Sequence, residues 1–111
     1  MHHIRLEKLL NFLQNEPNDP FLKYAIATEY LNSNEWEKAI IYYEDLLNNH
    51  PDYVGTYYHA GKLYEQIDRK ADAISTYKKG MEIARGARDM HAFSELQGVY
   101  NSIMGLDYED D

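Results

Sequence analysis

The 111-residue chain contains no cysteine. Disulfide frameworks, cysteine-based zinc or iron–sulfur sites and thiol nucleophiles are therefore excluded. Proline is scarce, with only Pro17, Pro20 and Pro51, and the six glycines form no phosphate-binding loop or nucleophile elbow. No apolar run approaches the ~18 residues that a membrane helix needs. Met1 to Leu6 are followed at once by Glu7 and Lys8, with no small-residue cleavage site, so a signal peptide is not expected. Basic residues are outnumbered, 11 against 19 acidic, for a net charge of −8. That balance argues against nucleic acid or an anionic membrane as the main partner, while the lack of a signal peptide or membrane span makes the cytoplasm the default location.

What is present reads as one globular domain over residues 1–106. Hydrophobic residues make up 44% and charged residues 27%, an ordinary globular mixture. A chain of this length buries roughly 65% of its unfolded surface without a disulfide or metal. Charge is uneven: residues 53–86 carry six basic and four acidic side chains, and residues 107–111 form an acidic tail. The tail reads as a solvated end, with a docking tag for a basic partner as the alternative.

Apolar residues recur at threes and fours, and no β-branched alternation occurs, so the chain is predicted to be helical almost throughout. The spacing predicts helices over 4–15, about 21–31, 35–48, 53–67, 69–85 and 90–104. Asp19-Pro20 reads as an N-cap followed by proline in the first turn. Asp52 is expected to cap the fourth helix. Asn34 and Glu37 have the spacing of a capping box, and Gly86 suits a helix C-terminus. Gly98, inside the last helix, is expected to cost about 1 kcal/mol relative to alanine.

The most informative feature is a period of 34 residues. It aligns Tyr24 with Tyr58, Tyr30 with Tyr64, Ala39 with Ala73, Ile40 with Ile74 and Tyr43 with Tyr77. The small residues Ala27 and Gly61 also coincide, as do Pro17 and Pro51. Small residues permit two helices to approach closely, and the tyrosines fill the space beside each approach. A hairpin of this kind buries its apolar face only by stacking on neighbours.

Ala27, Tyr30, Ala39, Tyr43 and Pro51 resemble the motif of the tetratricopeptide repeat family at every step. Gly61, Tyr64, Ala73 and Tyr77 match in a second copy, where Arg85 replaces the proline. Asn34 and Asp68 replace the family's frequent turn glycine, and both types tolerate tight helix ends. The resemblance implies an all-α fold, a right-handed α–α superhelix of about six antiparallel helices. It divides the chain into an N-terminal helix (4–15), repeats at 20–53 and 54–87, a capping helix (90–104) and the tail. Arg5 stands where the first helix should carry alanine, and Gln97 stands where the last should carry a small residue.

In such stacks the first helix of each pair lines a concave groove. The resemblance places Phe21, Tyr24, Thr28 and Leu31 there, with Gly55, Tyr58, Lys62 and Glu65 from the fourth helix and His91, Ser94 and Gly98 from the sixth. Tyrosine suits peptide recognition, and the alternative is that Tyr24 and Tyr58 are shielded or simply solvated. The family's carboxylate clamp is not expected, because its positions hold Tyr24, Thr28, His59 and either His91 with Glu95 or Asp89 with Phe93. No cation matches there.

Catalysis is not expected. The histidines His2, His3, His50, His59 and His91 form no HExxH pair, and Ser75 and Ser94 lack a partner in sequence. A His50–Asp52 metal site rests on two residues only. Neither a cofactor nor a metal is expected. The surface row His59, Lys62, Glu65 and the basic pairs Arg69-Lys70 and Lys78-Lys79 read as solvated faces. The function expected is a protein-interaction adaptor that binds a peptide or protein segment, either as a monomer or as a weak homodimer. A homodimer would form through the apolar first helix (Ile4, Leu6, Leu9, Leu10, Leu13, with Phe12 beside it).

Overall fold

The computed structural model describes residues 3–106. His2 and the acidic tail at 107–111, both noted in the sequence, lie outside the described residues. Among the described residues six helices occur: α1 (His3–Asn15), α2 (Pro20–Asn32), α3 (Trp36–Asn49), α4 (Gly55–Gln66), α5 (Lys70–Gly86) and α6 (Met90–Met104). The chain divides into two compact units, Met1–Tyr53 and Val54–Asp111.

In the first unit α2 packs against both α1 and α3. Leu6 and Leu9 of α1 meet Leu22, Ala25 and Ile26 of α2 in one apolar cluster, flanked by Leu10, Leu13, Tyr30 and Tyr42. Ala27, Ala39, Tyr43 and Leu46 are fully buried. The two alanines therefore sit in the interior, where the repeat predicts close helix approach. Asp19 caps α2 as predicted, its Oδ1 accepting from the Phe21 and Leu22 amides at 2.9 and 3.3 Å, with Pro20 in the first turn.

The α2–α3 turn corrects one expectation. Asn34 forms no capping box. It takes φ 61° and ends α2: its amide donates to the Leu31 carbonyl at 3.0 Å and the Glu35 amide to Tyr30 at 2.9 Å. These two bonds make a Schellman closure. A reversal this short spends Asn34 on the left-handed position, so Glu35 stands at the α3 N-cap without a side-chain cap bond.

The second unit builds α4 against α5 and α5 against α6. Gly61 and Gly80 are close-approach sites. A Cβ on Gly61 would run into the Tyr77 ring, and one on Gly80 into Tyr57. Asp68 repeats the role of Asn34 at φ 65°, with the Arg69 amide donating to Tyr64 at 2.8 Å. Asp52 does not cap α4: Val54 takes the N-cap position with no side-chain bond.

Gly86 stands at a helix C-terminus, as predicted. It is the last residue of α5, and the left-handed position falls on Arg88 at φ 60°. In the first unit Pro51, following His50, stops α3 at Asn49, because the residue before proline is pushed out of the helical region. Arg85 stands at the corresponding place in α5, imposes no such stop, and lets the helix run on. The Asp89 amide then closes onto Ala84 at 2.9 Å. Asp89 also caps α6, accepting from the Ala92 amide at 3.0 Å.

Candidate functional site

The residues predicted for a groove fall in both units. On α2, Phe21, Tyr24, Thr28 and Leu31 recur at steps of three and four, which places them on one side of the helix. Phe21 is 58% exposed, while Tyr24, Thr28 and Leu31 are half-buried. The Tyr24 ring stands edge-on to Tyr43 with centroids 6.4 Å apart and lies 5.6 Å from Tyr53. The Thr28 hydroxyl donates to the Tyr24 carbonyl at 2.9 Å and lies 3.3 Å from the Tyr43 hydroxyl. Burial, then Tyr53 beside it, pushes the Tyr24 phenol up. Tyr24 is thus one edge of an aromatic cluster and not a free-standing side chain. Tyr53, predicted to open the fourth helix and not placed in the groove, joins that cluster from the segment between α3 and α4.

On α4, Tyr58 is half-buried and its ring stands 5.6 Å from that of His59. Lys62 is exposed. Glu65 accepts a 2.5 Å hydrogen bond from the Tyr77 hydroxyl, so its carboxylate is tied to the hairpin interior. His59 is more buried than a solvated row implies: burial pushes its imidazole down, with Glu95 opposing. On α6, His91 and Ser94 are exposed, and His91 lies 3.3 Å from Glu95 on its own helix. This pair places an acid where a carboxylate clamp would need a cation.

Two features were not foreseen. The first is a buried polar group in the first unit. Lys23 is 5% exposed, and its ammonium lies 3.1 Å from Asp45 and 3.3 Å from His50 Nε2. Lysine has only donors, so Nε2 accepts. Partial burial raises the Asp45 carboxyl, but hydrogen bonds from Asn49 and Lys23 outweigh it and hold the group below its ordinary value. His50 therefore faces an ammonium, which would repel the metal considered for His50 and Asp52. Among the described residues, no group of three His, Asp or Glu side chains is placed to hold a metal ion.

The second is a cleft of about 310 Å³ between α5 and α6, lined by Lys78, Met81 and Arg85 on one side and Phe93, Gln97 and Tyr100 on the other. The Arg85 guanidinium lies 4.9 Å from the Phe93 ring centroid. Among the described residues, no helix is long and apolar enough to cross a membrane.

Comparison with known proteins gives the same architecture. Residues 1–50 match the family described as YpiA-like, tetratricopeptide repeats, and residues 54–86 match the tetratricopeptide repeat family. The chain is 47% identical to a tetratricopeptide repeat domain protein from Salinibacter ruber in its crystal structure, with a TM-score of 0.76. That match covers 80% of this chain and 99% of the other. A solution NMR structure of a tetratricopeptide repeat domain protein from Salinibacter ruber matches at 45% identity and a TM-score of 0.77, covering 86% and 96% of the two chains. No curated protein matches. The repeat register, the close-approach glycines and these similarities lead to one conclusion: the chain belongs to the tetratricopeptide repeat family.

Proposed function

We propose that this chain is a non-catalytic adaptor of the cytoplasm that binds a peptide or protein segment on the face of α2. Tetratricopeptide repeats serve generally as protein-interaction modules and typically as non-catalytic scaffolds. The observation that carries the finer reading is the α2 face. A large apolar side chain, Phe21, stands 58% exposed on the side of the helix that also carries Tyr24, Thr28 and Leu31. An exposed aromatic beside half-buried ones has the makeup of an anchor site.

The ligand chemistry this favours is an apolar or aromatic segment whose terminal carboxylate plays no part. Affinity then depends little on salt, and a peptide with an amidated C-terminus binds as well as the free acid.

The test uses a photoreactive phenylalanine at position 21 in the full chain, crosslinked in native lysate. Captured proteins should be lost in a variant that keeps the photoreactive residue and carries Leu31→Glu, its helical circular dichroism matching the parent. Leu31 is chosen over Tyr24, since removing the Tyr24 ring also disturbs Tyr43 and Tyr53. Undiminished capture by the folded variant would remove the α2 face as the site.

A further inference from the structure

We infer, resting on the α2 reading above, that the segment bound there presents one arginine, whose guanidinium lies on the Tyr24 and Tyr53 rings and donates to the Asp19 carboxylate. Charge is the first sign. Residues 1–53 carry nine acidic and four basic side chains. Three of the four cations already face carboxylates: Arg5 lies 2.8 Å from Glu29, Lys23 lies 3.1 Å from Asp45 and Lys38 lies 3.3 Å from Glu35. This unit therefore presents a surplus of carboxylates, and a cationic ligand complements it.

The surplus reaches the head of the α2 face. Just before Phe21, residues 16–20 line an open hollow of about 580 Å³. Its lining holds two carboxylates, Glu16 and Asp19, and no cation. Asp19 Oδ1 is committed to the α2 cap, where it accepts from the Phe21 and Leu22 amides. Among the described residues, Asp19 Oδ2 makes no hydrogen bond or ion pair. The helix N-terminus brings about half a positive charge, less than the two carboxylates together.

Asp19 also joins the hollow to the aromatic cluster. Its charge adds to burial in pushing the Tyr53 phenol up. The Tyr53 ring meets the Tyr24 ring at 5.6 Å with a tilt of 52°. Both side chains are half-buried, so part of each stays open to solvent. The face of an aromatic ring is electron-rich and attracts cations. A guanidinium suits this place better than an ammonium. It is planar and stacks on a ring, while the N–H groups at its edge donate to a carboxylate. The rest of the segment stays apolar, matching Phe21 and Leu31. A single charge contact leaves the salt dependence small.

Selection of a displayed library of random short peptides on the full chain tests this. Enriched peptides should share one arginine among apolar residues. Exchange of that arginine for citrulline, its neutral isostere, should weaken binding roughly five- to tenfold in fluorescence anisotropy. Lysine in its place should weaken it by less. Asp19→Asn keeps an N-cap of equal quality and removes the charge. With unchanged helical circular dichroism, it should weaken the arginine peptide roughly threefold and leave the citrulline peptide unaffected. The arginine–citrulline comparison on the parent chain needs no variant, so it decides even if Asp19→Asn folds poorly. Enrichment of apolar peptides without a cation, or equal binding of the arginine and citrulline peptides, would overturn the inference and leave the α2 face standing. A lysine peptide as tight as the arginine one would overturn the guanidinium stack. A full preference for arginine in Asp19→Asn would overturn the contact with Asp19. Enriched peptides that bind Leu31→Glu undiminished would remove the face and the inference together.

Discussion

Tyr43 and Tyr77 occupy the same place in the two hairpins, yet their hydroxyls go to different partners. In the first unit the tyrosine follows Ala27 on the facing helix, and its hydroxyl meets Thr28 at 3.3 Å. In the second, the corresponding residue is Gly61. The Tyr77 ring lies where a methyl would stand, and its hydroxyl reaches Glu65 at 2.5 Å. The difference of one methyl is matched by a change of hydrogen-bond partner, from the residue next to the small position to one a full turn further on. A second exchange accompanies it. Lys23 and Leu46, both buried in the first unit, give way to Tyr57 and Gly80, which touch in the second. The repeat conserves the register and redistributes volume within it.

That comparison can be broken most forcefully at Leu46 and Gly80. Leu46 is fully buried, so Leu46→Ala should cost about 2–5 kcal/mol through lost burial and a cavity. At the corresponding site the sign of the size change reverses. Gly80→Ala adds a methyl against Tyr57 and should cost about 1–3 kcal/mol by overpacking. Urea unfolding followed by circular dichroism reads both. If Gly80→Ala were neutral, the volume exchange would not be a packing constraint.

The buried charge sharpens the contrast next. Asp45→Ala leaves the Lys23 ammonium buried without its carboxylate and should cost about 1–3 kcal/mol, less than for a fully enclosed pair because Asp45 is partly exposed. Lys79, the corresponding residue of the second unit, is exposed, and Lys79→Ala should change stability by less than about 0.5 kcal/mol. Equal effects at the two sites would deny the Lys23–Asp45 contact its role.

Alkali probes the two tyrosines directly. Burial, only partly offset by the Thr28 bond, pushes the Tyr43 phenol up to about 12. Burial followed by the Glu65 bond pushes Tyr77 further up. A phenol whose pKa is raised by folding holds its proton in the folded chain after the unfolded chain has lost it. Its contribution is intact below about pH 10 and is lost as pH rises through the folded value. Unfolding midpoints should therefore fall above about pH 10, and Tyr77→Phe should flatten that fall more than Tyr43→Phe.

The smallest effects lie in the turns. Arg88 holds φ 60° with a long side chain and no glycine freedom, so Arg88→Gly should raise stability by about 1 kcal/mol. Asn34→Gly, at φ 61°, should gain only a few tenths, because asparagine already tolerates that region. A Tm series of these two variants checks the difference.

The legible part of the molecule was what repeats. The helices follow from apolar spacing. Asn34 and Asp68 were readable as turn residues because their side chains suit a left-handed backbone. Arg88 was not, since arginine carries no such signal, and Gly86 drew attention to a nearby helix residue instead. Glu37 mimicked a capping box because Asn34 was already committed to ending α2. On the α2 face, the spacing of Phe21, Tyr24, Thr28 and Leu31 fixed their common side, but the ring of Tyr53 came from a segment without periodicity. Lys23 reads as surface by residue type, and only the positions of Asp45 and His50 reveal why it is buried. Glu65 looked like a groove acid. Its capture by Tyr77 accompanies an absent methyl at Gly61, a relation between two helices that one helix's pattern does not display. The α5–α6 cleft is lined by side chains of two helices, and no motif marks it.

The central claim is that one register carries two different volume assignments, and Gly61→Ala tests it most directly. Helix propensity alone would make this substitution stabilising by about 1 kcal/mol. Collision of the new Cβ with the Tyr77 ring should reverse the sign, giving a net loss of about 1–3 kcal/mol in urea unfolding of the full chain. A stabilised Gly61→Ala protein would contradict the account.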